Sequence, residues 1–418
     1  MFCKYVFLCA LFCSKSNVKK KRKYFLLLYS FSILILYNKK KGSIIMKFVV
    51  KKDDLYNGIK IVERATSVKA LQPVLMNILI ETLNKGTIKL TATDLDYTVI
   101  AEVDAQVEEM GSITLPSKTL NEIVSKLGDK LITFEKKEGE NTVNITCQKS
   151  KFDIIGISAA EFPPEFSNLK IDESQGFEIE IRPFVKAVKQ AGFAAASYET
   201  SNLLSGIVCD ISSNVMEIAS TDGNRLARVR EKIENKDNKS KQLIIPSKTL
   251  NEFIKMSGFI DEESVKVYTE NSKIIIKSEK TVTISRLLDG QYPKYNQLIP
   301  QESPKTAVVN VSQFISALER VSIMVNEKTS IVKLEFSNNN LKLTADTPDS
   351  GKSEENLDID YTGEELVIAF NYKFVLEALK NIDSECVKIG LNSPLSATMF
   401  KPDSEEDFVC LIMPVQIR

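Results

Sequence analysis

A nine-residue phrase occurs twice in this chain: Leu115-Pro116-Ser117-Lys118-Thr119-Leu120-Asn121-Glu122-Ile123 returns 130 residues later as Ile245-Pro246-Ser247-Lys248-Thr249-Leu250-Asn251-Glu252-Phe253. Two more pairs keep nearly the same step and order. They are Thr93-Asp94-Leu95-Asp96 with Thr221-Asp222-Gly223-Asn224, and Phe162-Pro163-Pro164-Glu165-Phe166 with Tyr292-Pro293-Lys294-Tyr295. Repeats of roughly 20 to 50 residues stack because one unit cannot bury a core, whereas a unit of this length folds alone. The chain is therefore a tandem of complete, related domains. From Met46 to Arg418 there are 373 residues, room for three copies at about 100 to 150 residues each. A third, degraded copy opens at Thr306-Ala307-Val308-Val309-Asn310-Val311, and Thr344-Ala345-Asp346 stands where the others have Thr-Asp. The expected domains are residues 46–173, 174–302 and 303–418.

A net charge of zero hides two unlike parts. Residues 1–45 hold ten Lys or Arg and no acid, leaving 45 basic against 55 acidic side chains in the rest. The apolar run Tyr24 to Tyr37, flanked by Lys19-Lys20-Lys21-Arg22-Lys23 and Lys39-Lys40-Lys41, is short of the roughly 20 residues that cross a bilayer and lacks a small-residue cleavage site. Residues 1–45 read as a non-native or disordered extension, with the protein starting at Met46. A membrane-tethered adhesin built on that segment is the competing reading. Because the body is acidic, contact with nucleic acid requires basic residues gathered on one surface.

In each copy two short amphipathic helices separate groups of alternating strands, an α+β pattern with mostly antiparallel sheets. Asp53 or Asp54 is expected to cap a helix presenting Leu55, Ile59 and Val62 on one face, and Ser117 to cap one carrying Leu120, Ile123, Val124 and Leu127. In copy two the helices begin near Pro183, with Phe184, Val188 and Ala191 inward, and after Pro246. In copy three they are capped by Ser312 and by Asn371. Thr87 to Ala92 and Lys273 to Lys277 read as strands.

Lysines mark one side of these helices. Lys248 and Lys255 are seven residues apart, as are Lys373 and Lys380, while Arg182, Lys186 and Lys189 follow one another with no acid before Glu199. Ammonium groups without a base-reading fork suit sequence-independent phosphate contact.

Catalytic chemistry is thin. The chain has no histidine, which removes the commonest general base and metal ligand, so no Ser-His or Cys-His nucleophile exists. Asp94 and Asp96 form a D-x-D pair that a metal-dependent nucleic-acid enzyme would use, but copy two has Asp222 and Asn224 there. Asp349-Ser350-Gly351-Lys352-Ser353 ends like a phosphate loop but has Asp346 where the first Gly belongs. Cys147, Cys209, Cys386 and Cys410 are scattered without metal spacing, as free thiols in a reducing cytoplasm are. No catalytic residue, cofactor or metal is expected, and a binding or scaffold role gains.

Thr221-Asp222-Gly223-Asn224-Arg225-Leu226-Ala227, with the opening Met46-Lys47-Phe48 and the closing Met413-Pro414, resembles the bacterial DNA polymerase III β subunits, the sliding clamps; the likeness runs from Met46 to Arg418. The resemblance implies three similarly folded domains per chain and two chains head to tail around sequence-independent duplex DNA, with helices lining the hole. It implies a processivity factor with no phosphoryl transfer of its own, acting in the cytoplasm without a membrane. The implied partners are a second copy, the DNA polymerase III catalytic subunit, the clamp loader and other proteins carrying a clamp-binding motif.

Carried across, the family's peptide cleft between domains 2 and 3 comprises Leu204, Thr221, Gly223, Arg225, Leu226, Pro293, Leu298, Asn371, Leu395, Leu411, Ile412, Met413 and Pro414. DNA-facing positions are Lys69, Tyr198, Ser201, Asn202, Ser247 and Lys248, to which the helix reading adds Lys186 and Lys189. Ile323 and Met324 match the apolar pair of the family's subunit interface. Three positions depart from the family pattern: Asn224 replaces a frequent His, Phe374 a familiar Tyr, and Gln297 a basic residue.

Overall fold

The computed structural model describes residues 43–67, 71–128, 130–164, 176–197, 203–233, 240–326, 329–347, 351–404 and 407–416. They fall into two compact units, one built from the chain up to Ala92 with Ile100–Pro164, the other from Thr93–Val99 with Glu165–Arg418.

Copy one runs β1 (Ile44–Lys51), α1 (Lys52–Val62), β2 (Asn77–Asn84), β3 (Thr87–Thr93), β4 (Tyr97–Glu109), β5 (Ser112–Pro116), α2 (Ser117–Lys126), β6 (Leu131–Lys137), β7 (Thr142–Cys147) and β8 (Ser150–Ile155). Copy two repeats it as β9 (Phe177–Glu180), α3 (Ile181–Gly192), β10 (Gly206–Ser212), β11 (Val215–Thr221), β12 (Arg225–Lys232), β13 (Lys241–Pro246), α4 (Ser247–Met256), β14 (Ser264–Glu270), β15 (Lys273–Lys277) and β16 (Thr281–Arg286). In copy three, β17 (Lys305–Asn310) and α5 (Val311–Val321) lead to β18 (Ile331–Ser337), β19 (Asn340–Thr347), β20 (Gly351–Asp358), β21 (Asp360–Thr362) and β22 (Leu366–Asn371). Then come α6 (Tyr372–Lys380), β23 (Cys386–Leu391), β24 (Thr398–Pro402) and β25 (Phe408–Ile412).

The pairing repeats as well. The four-stranded orders β5-β2-β3-β4, β13-β10-β11-β12 and β22-β18-β19-β20 are equivalent, and so are β1-β6-β7-β8, β9-β14-β15-β16 and β17-β23-β24-β25. The ladders are antiparallel, with alternate side chains inward, as in β7, where Val143, Ile145 and Cys147 are buried. The expected α+β class is what the chain adopts.

The helices form where apolar residues recur at helical spacing. Leu55, Ile59 and Val62 are wholly buried in α1, Leu120 and Val124 in α2, and Val375, Ala378 and Leu379 in α6. Several ends differ from expectation. Asp53 and Asp54 lie inside the first turn of α1, where they complement the helix dipole, and Lys51 holds the cap position. The helix after Pro116 is α2 as expected, but Ser117 is its first residue, and Pro116 holds the cap position with no side-chain cap bond. Asn310, not Ser312, caps α5 by accepting the Gln313 N–H at 3.1 Å, while Asn371 caps α6 through Lys373 N–H as expected. Residues 1–42 of the N-terminal segment lie outside the described residues. Ile44 and Ile45, upstream of Met46, already belong to β1, with Ile44 opposite Lys137.

Candidate functional site

In the second unit the edge strand β12 of copy two pairs with β25, the last strand of copy three, Arg225 opposite Ile412 and Leu226 opposite Leu411. The result is a nine-stranded sheet that passes from one copy into the next. On it sits an apolar cluster drawn from both copies: Val208, Ala219, Leu226, Ile244, Tyr292 and Tyr295 with Met399, Val409 and Leu411. Leu203, Leu204, Leu288 and Ile299 pack on it half-buried. Segments leaving the cluster carry large apolar groups into solvent: Leu298 after Tyr295, Met413 after β25, and Leu395 before β24, at 59%, 44% and 60% exposure. Exposed apolar groups around a buried apolar floor make a surface that gains by covering.

The turn from β11 to β12 fixes one wall. Thr221 Oγ1 accepts the Gly223 N–H at 3.1 Å and donates to the Arg225 carbonyl at 2.6 Å, and Asp222 Oδ1 accepts the N–H groups of Asn224 and Arg225. Gly223 sits at φ +90°, a conformation that disfavours a side chain. The turn aims Arg225 at copy three. Its Nε meets Asp222 at 3.1 Å, its Nη1 reaches Glu377 on α6, and its guanidinium lies 4.5 Å from the Phe374 ring and 5.3 Å from Phe193. The guanidinium is therefore held by two carboxylates and two aromatic rings.

A polar network underlies the other wall. Tyr295 Oη lies 2.6 Å from Asp210 and 2.8 Å from Glu217, and Asn296 Nδ2 donates to Glu217 at 2.5 Å. Arg230 Nε donates to Glu217 at 2.6 Å, and Arg228 joins Glu217 to Asp407 of copy three. Burial works to raise the Glu217 carboxyl, but the donors Asn296, Tyr295 and Arg230 with the nearby Arg228 charge outweigh it and hold it below the ordinary carboxylate value. Burial, and then the two carboxylates, push Tyr295 up, so its hydroxyl stays protonated. Tyr292, pushed up to about 12 by burial, accepts the Thr221 N–H and donates to the Gly206 carbonyl.

The structure divides the residues assigned to the cleft. Leu298, Leu395, Met413, Pro293 and Gly223 are exposed, while Leu204, Arg225, Asn371 and Pro414 are half-buried. Thr221, Leu226, Leu411 and Ile412 are buried, so they form the floor and its support, not a contact surface. Sequence reasoning passed over Glu217, Tyr292 and Tyr295. The Tyr292-Pro293-Lys294-Tyr295 repeat was the signal that marked that segment.

Of the DNA-facing positions, Lys69, Tyr198, Ser201 and Asn202 lie outside the described residues. Lys189 is exposed. Lys186 pairs with Asp383 at 3.0 Å and Lys248 with Asp94 at 2.5 Å, so neither is a bare charge, and Ser247 is half-buried. Ile323 stands 77% exposed in the turn after α5, with Met324 half-buried beside it. Asp94 and Asp96 do not form a ligand pair. Asp94 accepts the N–H groups of Asp96 and Tyr97 and meets Lys248, and Asp96 meets Arg286 at 3.7 Å. The D-x-D signal is a turn motif. Cys147, Cys209 and Cys410 are buried free thiols, the last two pushed up to about 12 chiefly by burial, and Cys386 is half-buried. Among the described residues no helix is long and apolar enough to cross a membrane.

Tandem α+β domains, the second and third joined strand to strand with an apolar cluster at the join, are the build of a scaffold and binding protein. Family models of the N-terminal, central and C-terminal domains of the DNA polymerase III beta subunit match residues 46–168, 178–294 and 296–416. The beta sliding clamp of Synechococcus elongatus is 32% identical over 381 residues, covering 89% of this chain and 100% of the relative, and that of Bacillus subtilis is 28% identical with the same coverage. The DNA polymerase III beta subunit of Thermotoga maritima superposes with a TM-score of 0.83 at 26% identity, again over 89% of this chain and 100% of that one. The chain belongs to the DNA polymerase III β-subunit family. Its function is that of a sliding clamp, a non-catalytic processivity factor, and the reading of Asp94 and Asp96 as the centre of a metal-dependent enzyme has no support among these relatives.

Proposed function

We propose that two copies of this chain close head to tail around duplex DNA in the cytoplasm. In this reading the surface beside the β12–β25 junction takes the short apolar motifs of the polymerase III catalytic subunit, the clamp loader and other clients. One observation carries the ring. Copy two joins copy three by pairing the outer edge of its four-stranded sheet, β12, with the last strand of the next copy, β25. By position in the repeat, β20 is the counterpart of β12 and β8 that of β25. Each is an edge among the described residues: β20 pairs only with β19, and β8 only with β7. Pairing β20 with β8 of a second chain repeats the internal junction, and the return pairing closes the assembly. Ile155 on β8 is 75% exposed and Ile323 follows α5, the helix bonded to β20 through Ser353 and Glu355, so both supply the apolar centre such a joint needs.

A ring that holds DNA by enclosure needs only weak, sequence-blind contacts, which suits half-exposed helical lysines on an acidic body. For the client surface, Leu298, Leu395 and Met413 are the anchors' neighbours, and Arg225 braces the wall behind them. The test is retention on circular duplex DNA before and after it is cut. A threaded ring stays on the circle and is lost from the ends, and equal retention on both forms would refute enclosure.

A further inference from the structure

Four helical lysines of the second unit share a feature that the family resemblance does not supply: they are matched to carboxylates. Lys186 of α3 meets Asp383 at 3.0 Å, Lys248 of α4 meets Asp94 at 2.5 Å, Lys255 meets Glu252 at 2.7 Å, and Lys380 of α6 meets Glu319 at 3.0 Å. The four lysine side chains remain 43% to 52% exposed. Only Glu252 belongs to the same helix as its lysine. Asp383 follows α6, Asp94 lies in the turn before β4, and Glu319 comes from α5, so the tertiary fold brings these acids to the lysines. Ion pairs this open to water add little to stability, and their recurrence calls for another reason.

A carboxylate beside an ammonium is a resident substitute for a phosphate. An incoming phosphate then exchanges one anionic partner for another, and the net attraction and the release of counterions from DNA both shrink. We infer that Asp383, Asp94 and Glu319 compete with DNA phosphates for Lys186, Lys248 and Lys380, and so hold the lining's grip on the duplex low enough for sliding. This rests on the ring reading and deepens it, by assigning to acids in the lining the control of friction. Lys189 on α3 is the internal contrast: it is exposed and makes no ion pair among the described residues.

Neutralising the competitors tests the idea. Asp383→Asn and Glu319→Gln, singly and together, are compared with Glu365→Gln, which matches each single variant in charge change and alters an exposed carboxylate with no ion pair among the described residues. Binding to a short random-sequence duplex is measured across a salt series. The double variant should bind several-fold more tightly at low salt, with a steeper slope of log affinity against log salt, and Glu365→Gln should not change that slope. In a Lys186→Met background the effect of Asp383→Asn should vanish, and Lys189→Met should weaken binding more than Lys186→Met. Equal slopes for the double variant and Glu365→Gln, or survival of the Asp383→Asn gain without Lys186, overturn the proposal. Retention on circular DNA, read on the same preparations, judges the ring separately: if wild type leaves circles as readily as cut DNA, enclosure fails whatever the slopes show.

Discussion

Leu95 stands at φ +82° in the turn position that Gly223 fills at φ +90°. The two turns are otherwise alike: Thr93 and Thr221 accept the N–H of the following positive-φ residue, and Asp94 and Asp222 each take two further N–H groups. A side chain in the left-handed region costs on the order of 1 to 2 kcal/mol, which glycine avoids. No atom lies within 4 Å of a Cβ built on Gly223, so Gly223→Ala carries that conformational cost alone. Denaturant unfolding should show it destabilised by about 1 kcal/mol. Leu95→Gly should shift stability the other way by less, because the unfolded chain gains freedom.

Arg225 is a brace between copies, with Asp222 behind it, Glu377 ahead and the Phe193 and Phe374 rings close to its guanidinium. Arg225→Lys keeps the charge but loses the second fork and the planar stacking. It should weaken client-peptide binding about ten-fold while leaving the β12–β25 ladder intact, as fluorescence anisotropy with a labelled peptide and circular dichroism would show. Phe374→Ala should lower affinity by less, about 1 kcal/mol, since the cation–π contact is shared with Phe193.

Glu217 gives a defined pH dependence. Its carboxyl is held below the ordinary value of 4.5 in the folded chain, so its stabilisation is fully present above that value and is lost as pH falls through the depressed one. Glu217→Gln should be less stable than wild type at neutral pH, and the gap should narrow below about pH 4, where the unfolded-state carboxyl is protonated. Urea unfolding at several pH values measures the gap, and a constant gap would contradict the assignment.

Exposure should separate binding from stability at the proposed client surface. Leu298→Ser and Met413→Ser change side chains 59% and 44% open to solvent, so unfolding should shift little while peptide affinity falls about ten-fold for each apolar side chain removed. Leu226→Ala, at a site 3% exposed, should instead destabilise by about 2 to 5 kcal/mol.

Ile323→Asp places a charge at the proposed joint between chains. Sedimentation at fixed concentration should show a shift from dimer to monomer without loss of thermal stability in the monomer.

The tandem copies were legible because the Pro-Ser-Lys-Thr-Leu phrase and the Thr-Asp turn recur at one step, and the helices because Leu55, Ile59 and Val62 share a face. Strand partners were not legible. The Arg225–Ile412 pairing unites residues far apart in the chain, and nothing local to either one names the other. The caps at Ser117 and Ser312 were misplaced by a residue or two, because proline and asparagine also suit those positions and local preference separates them weakly. Cleft residues came from resemblance, which marks position in a family but not depth. Leu226, Leu411 and Ile412 therefore stood beside Leu298 and Met413 until burial separated floor from rim. Glu217 and Tyr295 had no motif, since their network is assembled from several strands and a turn.

The unbroken nine-strand sheet beneath the groove has a mechanical consequence. Separating copy two from copy three here would tear a row of main-chain bonds between β12 and β25, so this joint is stiff. A matching joint between separate chains has no covalent continuity to hold its halves close once parted. In the proposed ring, opening to admit DNA is therefore expected at the seam between molecules, not at the β12–β25 joint.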